Sequence, residues 1–279
     1  MLRFYHRIRS EQGYRDDMTP MHCCIFLLFL SACSGEPEER AEECAIEEGG
    51  YEAWTPAGWD GVSPLPVFLY IHGYGGAPDQ LSGDDAAMAA LSEAGMLVLI
   101  PGSPDGSWDV RLTSESRDDL GFFDAILDAA DSCWGIDESR IYVSGFSIGG
   151  SMAHQLACSR EIVTAAAPIS GTFWEPMPAS CPVPSVPIRH THGRSDSTWP
   201  YDGQQFSPLA IQGAAEDGVA LWVAHNKAPD ITTTEIEGEL TCTIWGEGEA
   251  EVRLCVHDGG HTRREGWAEQ LIDWFDGMQ

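Results

Sequence analysis

The sequence predicts an α/β fold, a mainly parallel central sheet with helices on both faces. Three observations carry that prediction. From Tyr51 onward, β-rich runs alternate with helical ones, the pattern of strands joined by crossover helices. Residues 66–72, P-V-F-L-Y-I-H, are almost continuously apolar, as expected of a strand buried on both faces. Residues 140–152, R-I-Y-V-S-G-F-S-I-G-G-S-M, read as a short strand, a tight glycine turn and the start of a helix.

Before Tyr51 the chain has a different character. Residues 1–32 carry Arg3, Arg7, Arg9 and Arg15, then an apolar run over 24–30 and small residues, the make-up of a secretory signal. The run is too short to span a bilayer as a helix. Leu30-Ser31-Ala32-Cys33 resembles the bacterial lipobox, with Cys33 as the lipidated first residue, and Ser34 resembles the outer-membrane sorting pattern. Free secretion after an ordinary cleavage is the alternative. Residues 33–50 are short, polar and strongly acidic, and read as a disordered tether. Residues 51–279 then read as one α/β domain.

Within that domain the strand over 66–72 ends in Gly73-Tyr74-Gly75-Gly76, and residues 84–94 read as a helix with an acidic start. A strand over 96–100 closes at Pro101-Gly102. The helix over 118–130 shows a stripe of Leu120, Phe123, Ile126, Leu127 and Ala130. After the 140–152 unit come strands over 165–169 and 187–191, a helix over 209–225, the last strands within 241–256 and a closing helix over 266–275. The sequence leaves open whether a lid covers the site; residues 171–187, a proline-rich stretch holding Cys181, are the place for one.

The chain has 279 residues, 43% hydrophobic, enough to bury a full core. Its formal net charge of −29 argues against nucleic acid or an anionic membrane surface as partner, since phosphates would be repelled. Membrane contact is expected only through the lipid anchor, and the oligomeric state stays open. Past Cys33 six cysteines remain, Cys44, Cys133, Cys158, Cys181, Cys242 and Cys255, an even set that reads as three disulfides in an exported protein. Their spacing leaves the connectivity open. Cys242 and Cys255 flank an apparent hairpin and are the first pair to expect, then Cys158 with Cys181 and Cys44 with Cys133. No C-x-x-C or paired-histidine spacing suggests a metal.

The chemistry centres on Gly145-Phe146-Ser147-Ile148-Gly149, a G-x-S-x-G between a predicted strand and a predicted helix. A serine hydroxyl is a weak nucleophile and needs an oriented base. Asp196, in a loop just after a strand, is the candidate acid, and His261, after Gly259-Gly260, the candidate base, with His257 its main rival. His190 and His192 read as strand-end residues. The backbone N–H groups of Ile148 and Tyr74 are the expected oxyanion donors. Trp108, Trp174, Trp199 and Tyr201 stand on loops facing the predicted site and could stack on an aromatic ring or a sugar. Arg263 and Arg264 are expected to pair with nearby carboxylates. The chemistry calls for neither cofactor nor metal.

With these residues in hand, the chain resembles the secreted esterase family of polyhydroxybutyrate depolymerases and feruloyl or acetylxylan esterases. The matching stretches are Y-I-H-G-Y-G-G, D-D-L-G-F-F, I-D-E-S-R-I-Y-V-S-G-F-S-I-G-G-S-M-A, A-A-P-I-S-G, H-G-R-S-D-S-T-W-P-Y-D-G and G-G-H-T, in the family's order over nearly all of residues 65–275. The resemblance implies an α/β-hydrolase fold, with Ser147 as nucleophile, Asp196 as acid and His261 as base, and it favours a Cys242–Cys255 disulfide. It implies an ester substrate, from plant cell-wall polysaccharide or a polyester. The chain departs from the family at Trp199, where a small aliphatic residue is usual, and at Arg263-Arg264-Glu265-Gly266, where Trp-Pro-Gly often follows the histidine. A serine peptidase of the same fold and a non-catalytic polymer- or carbohydrate-binding lipoprotein are the alternatives.

Overall fold

Alternate side chains of the central strand, Leu65–Ile71, divide the molecule into two layers. Val67, Leu69 and Ile71 point into one apolar cluster, Phe68 and Tyr70 into another, and the strand is buried at every position. A period of two in a strand buried on both faces requires this. In the computed structural model the described residues are 50–115, 117–229 and 232–278, with the backbone of Arg7–Arg9. Cys33, Cys44 and the 33–49 part of the expected tether lie outside them.

The strands in chain order are β1 (Arg7–Arg9), β2 (Tyr51–Trp54), β3 (Leu65–Ile71), β4 (Leu97–Pro101), β5 (Ile136–Phe146), β6 (Ala165–Ile169), β7 (Ile188–Gly193), β8 (Gln204–Ser207), β9 (Ala210–Gln212), β10 (Thr232–Glu237), β11 (Leu240–Trp245) and β12 (Val252–His257). The described helices are α1 (Asp79–Ser82), α2 (Asp85–Glu93), α3 (Asp119–Trp134), α4 (Ile148–Ser159), α5 (Ala215–His225) and α6 (Trp267–Asp276). The main sheet runs β1-β2-β4-β3-β5-β6-β7-β12-β11-β10. Its centre, from β4 to β12, is parallel, and β2, β11 and β10 add antiparallel edges. The short β1 pairs antiparallel with β2.

Helices α3, α4 and α5 cover one face, through Phe123, Ile126, Met152, Leu156, Val219 and Trp222; α2 and α6 cover the other, through Met88, Leu91, Trp267, Leu271 and Phe275. Two helix starts follow directly from the sequence. Asp84 and Asp118 are N-caps whose carboxylates accept the amides of Ala87 and Gly121. No described helix is long and apolar enough to cross a membrane.

One expectation needs correcting. The helix expected over 209–225 begins only at Ala215, because Ala210–Gln212 pairs with Gln204–Ser207 as a hairpin and Gln212 also bridges Trp174. The start of the 171–187 stretch is laced to that hairpin: Thr172 Oγ1 donates to the Gly213 carbonyl at 2.8 Å, and the Glu175 amide to the Ile211 carbonyl at 2.8 Å. Disulfides join Cys158 to Cys181 and Cys242 to Cys255, the second pair directly opposite across β11 and β12. Cys133 is also disulfide-bonded; Cys44, its expected partner, lies outside the described residues.

Candidate active site

Parallel strands bring their carboxyl ends to one rim, where loops meet without obstruction. Here the loops after β3, β5, β6, β7 and β12 carry Tyr74, Ser147, Trp174, Asp196 and His261. Ser147 links β5 to α4 with φ 60° and ψ −126°, a conformation ordinary side chains avoid. Its amide donates to the Ile169 carbonyl at 2.9 Å, which anchors the strained turn to β6.

The surrounding glycines allow that turn to exist. A Cβ on Gly145 would lie 2.4 Å from the Gly149 carbonyl oxygen, one on Gly149 2.1 Å from Ile71 O, and one on Gly171 2.1 Å from Ser147 O. The backbone of the β3 end, the turn and the β6 loop are therefore in direct contact, and no side chain fits between them.

Asp196 is buried, and both its oxygens are engaged. Oδ1 accepts the amides of Thr198 at 2.9 Å and Trp199 at 2.7 Å, while Oδ2 lies 2.7 Å from His261 Nδ1. A carboxylate with this many donors is fixed in direction. Asp196 and His261 stand on different loops, which the backbone stitches together: Arg194 donates to His257 O at 2.8 Å and Ser195 to Gly259 O at 3.1 Å. The Phe146 ring packs 4.6 Å from the His261 imidazole. Among the described residues Ser147 Oγ makes no hydrogen bond, so the structure brings Ser147 and His261 to one rim with the serine–imidazole bond unmade. His257, the rival base, is buried at the end of β12, where its Nδ1 accepts the Gly259 amide at 3.1 Å.

Ile148 is the first residue of α4, so its amide has no acceptor within the helix. In the loop after β3, the Gly73 amide is taken by Gln80 Oε1 at 2.8 Å, Gly75 by Gly106 O at 2.7 Å and Gly76 by Gly73 O at 3.0 Å. Tyr74 is the one residue of that run whose amide has no acceptor among the described residues, and its side chain points to solvent. Gln80, which sequence reasoning did not single out, thus shapes this loop from α1.

The four aromatics separate. Trp174 and Trp199 pack edge to face at 5.6 Å, and Phe206 of β8 lies 5.6 Å from each; Trp199 stacks 6.3 Å from His261. They make an aromatic wall beside the imidazole, in which Phe206 is 45% exposed. Phe206 had no motif to announce it. Trp108 is a correction: it is 4% exposed, its indole donates to His72 O at 2.9 Å, and it packs between His72 and Phe123 below the rim. Tyr201 is another, buried with its hydroxyl donating to Glu216 at 2.9 Å; burial and that carboxylate push its pKa up to about 12. It lines a cleft of 810 Å³ between α5 and strands β11 and β12 that neither Ser147 nor His261 borders. A smaller cleft of 410 Å³ lies against His261, Phe146, Gln80 and Arg263. Arg263 rests over Tyr70 and Trp267 and lies 3.8 Å from Asp84, while Arg264 pairs with Glu239. Both arginines are occupied by the protein itself.

Residues 106–214, which hold Ser147 and Asp196, match the dienelactone hydrolase family. Among solved structures, an acetyl xylan esterase from Aspergillus awamori superposes with a TM-score of 0.61 at 18% identity, over 81% of this chain and 93% of that one. This is an α/β-hydrolase fold. Among curated proteins, this chain is 27% identical to "Feruloyl esterase B" of Piromyces equi over 227 residues, 76% of this chain and 42% of that protein. It is 27% identical to "Probable feruloyl esterase C" of Aspergillus terreus over 240 residues, 83% of each. The chain thus spans less than half the length of the first relative and most of the second.

Proposed function

We propose that this α/β-hydrolase is a serine carboxylic-ester hydrolase working through an acyl-enzyme. Ser147 attacks the ester carbonyl, His261 takes its proton and returns it to the leaving alcohol, and Asp196 holds His261 as the Nδ1–H tautomer. The amides of Tyr74 and Ile148 hold the oxyanion; one such donor is worth ~2.7–4 kcal/mol of transition-state stabilisation. Water then releases the acid by the same route. The observation that carries this reading is the joint arrangement at one sheet rim: a serine at φ 60° between glycines, and a histidine bonded at 2.7 Å to a buried aspartate. The names of the relatives favour feruloyl or acetylated xylan esters, with polyhydroxybutyrate-type polyesters as the other class. The wall of Trp174, Trp199 and Phe206 suits an aromatic acyl group.

The test uses a short p-nitrophenyl ester and a fluorophosphonate probe. Ser147→Ala is expected to abolish turnover and labelling with the fold intact by circular dichroism; substantial residual turnover would remove the assignment. Feruloyl, acetyl-xylan and hydroxybutyrate esters compared side by side identify the acid half.

Export is part of the same reading, supported by the disulfides. Cys33 as lipid anchor is checked by metabolic labelling with radioactive palmitate in a bacterial host. Label lost in Cys33→Ser supports the anchor, and an unlabelled wild type removes it.

A further inference from the structure

Three buried histidines take no part in the chemistry above. His154 on α4 and His190 and His192 on β7 are each at most 1% exposed. Their ring nitrogens form one continuous chain. Trp222 Nε1 of α5 donates to His154 Nδ1 at 3.0 Å, His154 Nε2 meets His190 Nδ1 at 3.1 Å, and His190 Nε2 meets His192 Nδ1 at 3.0 Å. His192 Nε2 meets the Trp199 carbonyl at 2.8 Å. An indole N–H can only donate, a carbonyl can only accept, and a neutral imidazole offers one of each. A single proton arrangement therefore satisfies every bond, with Nε2–H on all three rings. A second proton on any ring would set two N–H groups face to face. Burial agrees, pushing all three pKa values down, His154 to about 3.

The chain ends against the catalytic acid. His192 Nε2 lies 3.6 Å from Asp196 Oδ2, and Trp199, whose carbonyl it holds, gives its own amide to Asp196 Oδ1 at 2.7 Å. Asp196, His261, His257 and His190 are the titratable groups that face His192, with Tyr201 edge-on at 5.7 Å. Apolar side chains of equal volume would fill this part of the core without the desolvation cost of three imidazoles. What they would not supply is a directed N–H at the Asp196 turn.

We propose that His192 is a positioning residue for the Asp196–His261 pair, and that His154 and His190 lock its tautomer so that Nε2–H faces the turn from Asp196 to Trp199. The inference rests on the serine-hydrolase reading, yet its first test needs no activity. Long-range ¹⁵N–¹H spectra of histidine-labelled protein are expected to give neutral Nε2–H rings for His154, His190 and His192 from about pH 5 to about pH 8. An imidazolium or an Nδ1–H tautomer on any of the three in that range overturns the proposal.

The second test is kinetic. His192→Phe keeps the ring volume and removes both nitrogens. It is expected to lower kcat about tenfold with KM within about twofold, and to displace the downfield proton resonance of His261 Nδ1–H. His192→Gln, which keeps an N–H near the Nε2 position, is expected to recover most of both. Wild-type kcat and an unmoved His261 resonance in His192→Phe overturn the positioning role. If the wild-type protein hydrolyses no ester, the serine-hydrolase reading fails by itself and the histidine tautomers and His261 resonance still decide the chain. If His192→Phe does not fold, the wild-type tautomers decide.

Discussion

Asp196 illustrates how little freedom a residue keeps at this rim. Its Oδ1 takes two amides and its Oδ2 faces His261 Nδ1. Asparagine in its place must turn its oxygen to the Thr198 and Trp199 amides, which leaves its NH₂ facing the imidazole. His261 would then present an unprotonated Nδ1 and a protonated Nε2, the wrong tautomer for a base. Asp196→Asn should lower kcat by roughly 10³–10⁴ with the fold unchanged, measured on a short p-nitrophenyl ester. The rim positions of Ser147, Asp196 and His261 were legible in the sequence because each stands near glycines that the backbone contacts require. Phe146, Phe206 and Gln80 were not, since their importance comes from neighbours distant in sequence. Trp108 was misread for the converse reason: a tryptophan in a loop looks exposed until the fold lays His72 and Phe123 against it.

At the scale of elements, most strands and helices were visible in local pattern, and the exception is instructive. Residues 209–214 carry apolar residues at a spacing compatible with helix, yet the backbone pairs with Gln204–Ser207 and with Trp174. Pairing across a turn and across a loop is a tertiary fact, and it overrides weak helical preference. The loop that supports this hairpin is held by Cys158–Cys181, which closes a 23-residue separation. In the chain-entropy account such a cross-link contributes roughly 3 kcal/mol by restricting the unfolded state. The Cys158→Ala/Cys181→Ala double variant should therefore unfold at clearly lower urea, with the Trp174 emission near the hairpin changing first. A midpoint equal to wild type would mean that packing alone holds the loop.

Across the whole molecule, charge and protonation set the conditions for stability. The chain carries 15 lysines and arginines against 44 acidic residues, and several described arginines pair with carboxylates, among them Arg253 with Glu235, Glu237 and Glu251. Separately, burial lowers the pKa of His72, His154, His190, His192 and His257 in the folded state. Below the unfolded value of 6.5 the unfolded chain binds protons that the folded one refuses. Stability from these groups is full above that pH and is lost as pH falls, for His154 down to about 3. Each fully buried histidine contributes up to about 1.4 kcal/mol per pH unit in that window. Thermal unfolding should move to lower temperature from about pH 6.5 to about pH 5, before most carboxylates titrate. A flat profile there would show these rings protonated in the native state.

The sequence by itself determined the layered α/β architecture and the chain positions of a serine, an aspartate and a histidine that the fold brings to one rim. Those features are written in short-range pattern: apolar runs, helix caps and glycines that a tight turn demands. Only the tertiary structure decided which aromatics reach the site, how Gln80 shapes the Tyr74 loop, and that three histidines join Trp222 to the Asp196 turn. Their partners lie up to 68 residues apart, and only packing the strands and helices together brings those atoms within hydrogen-bonding range.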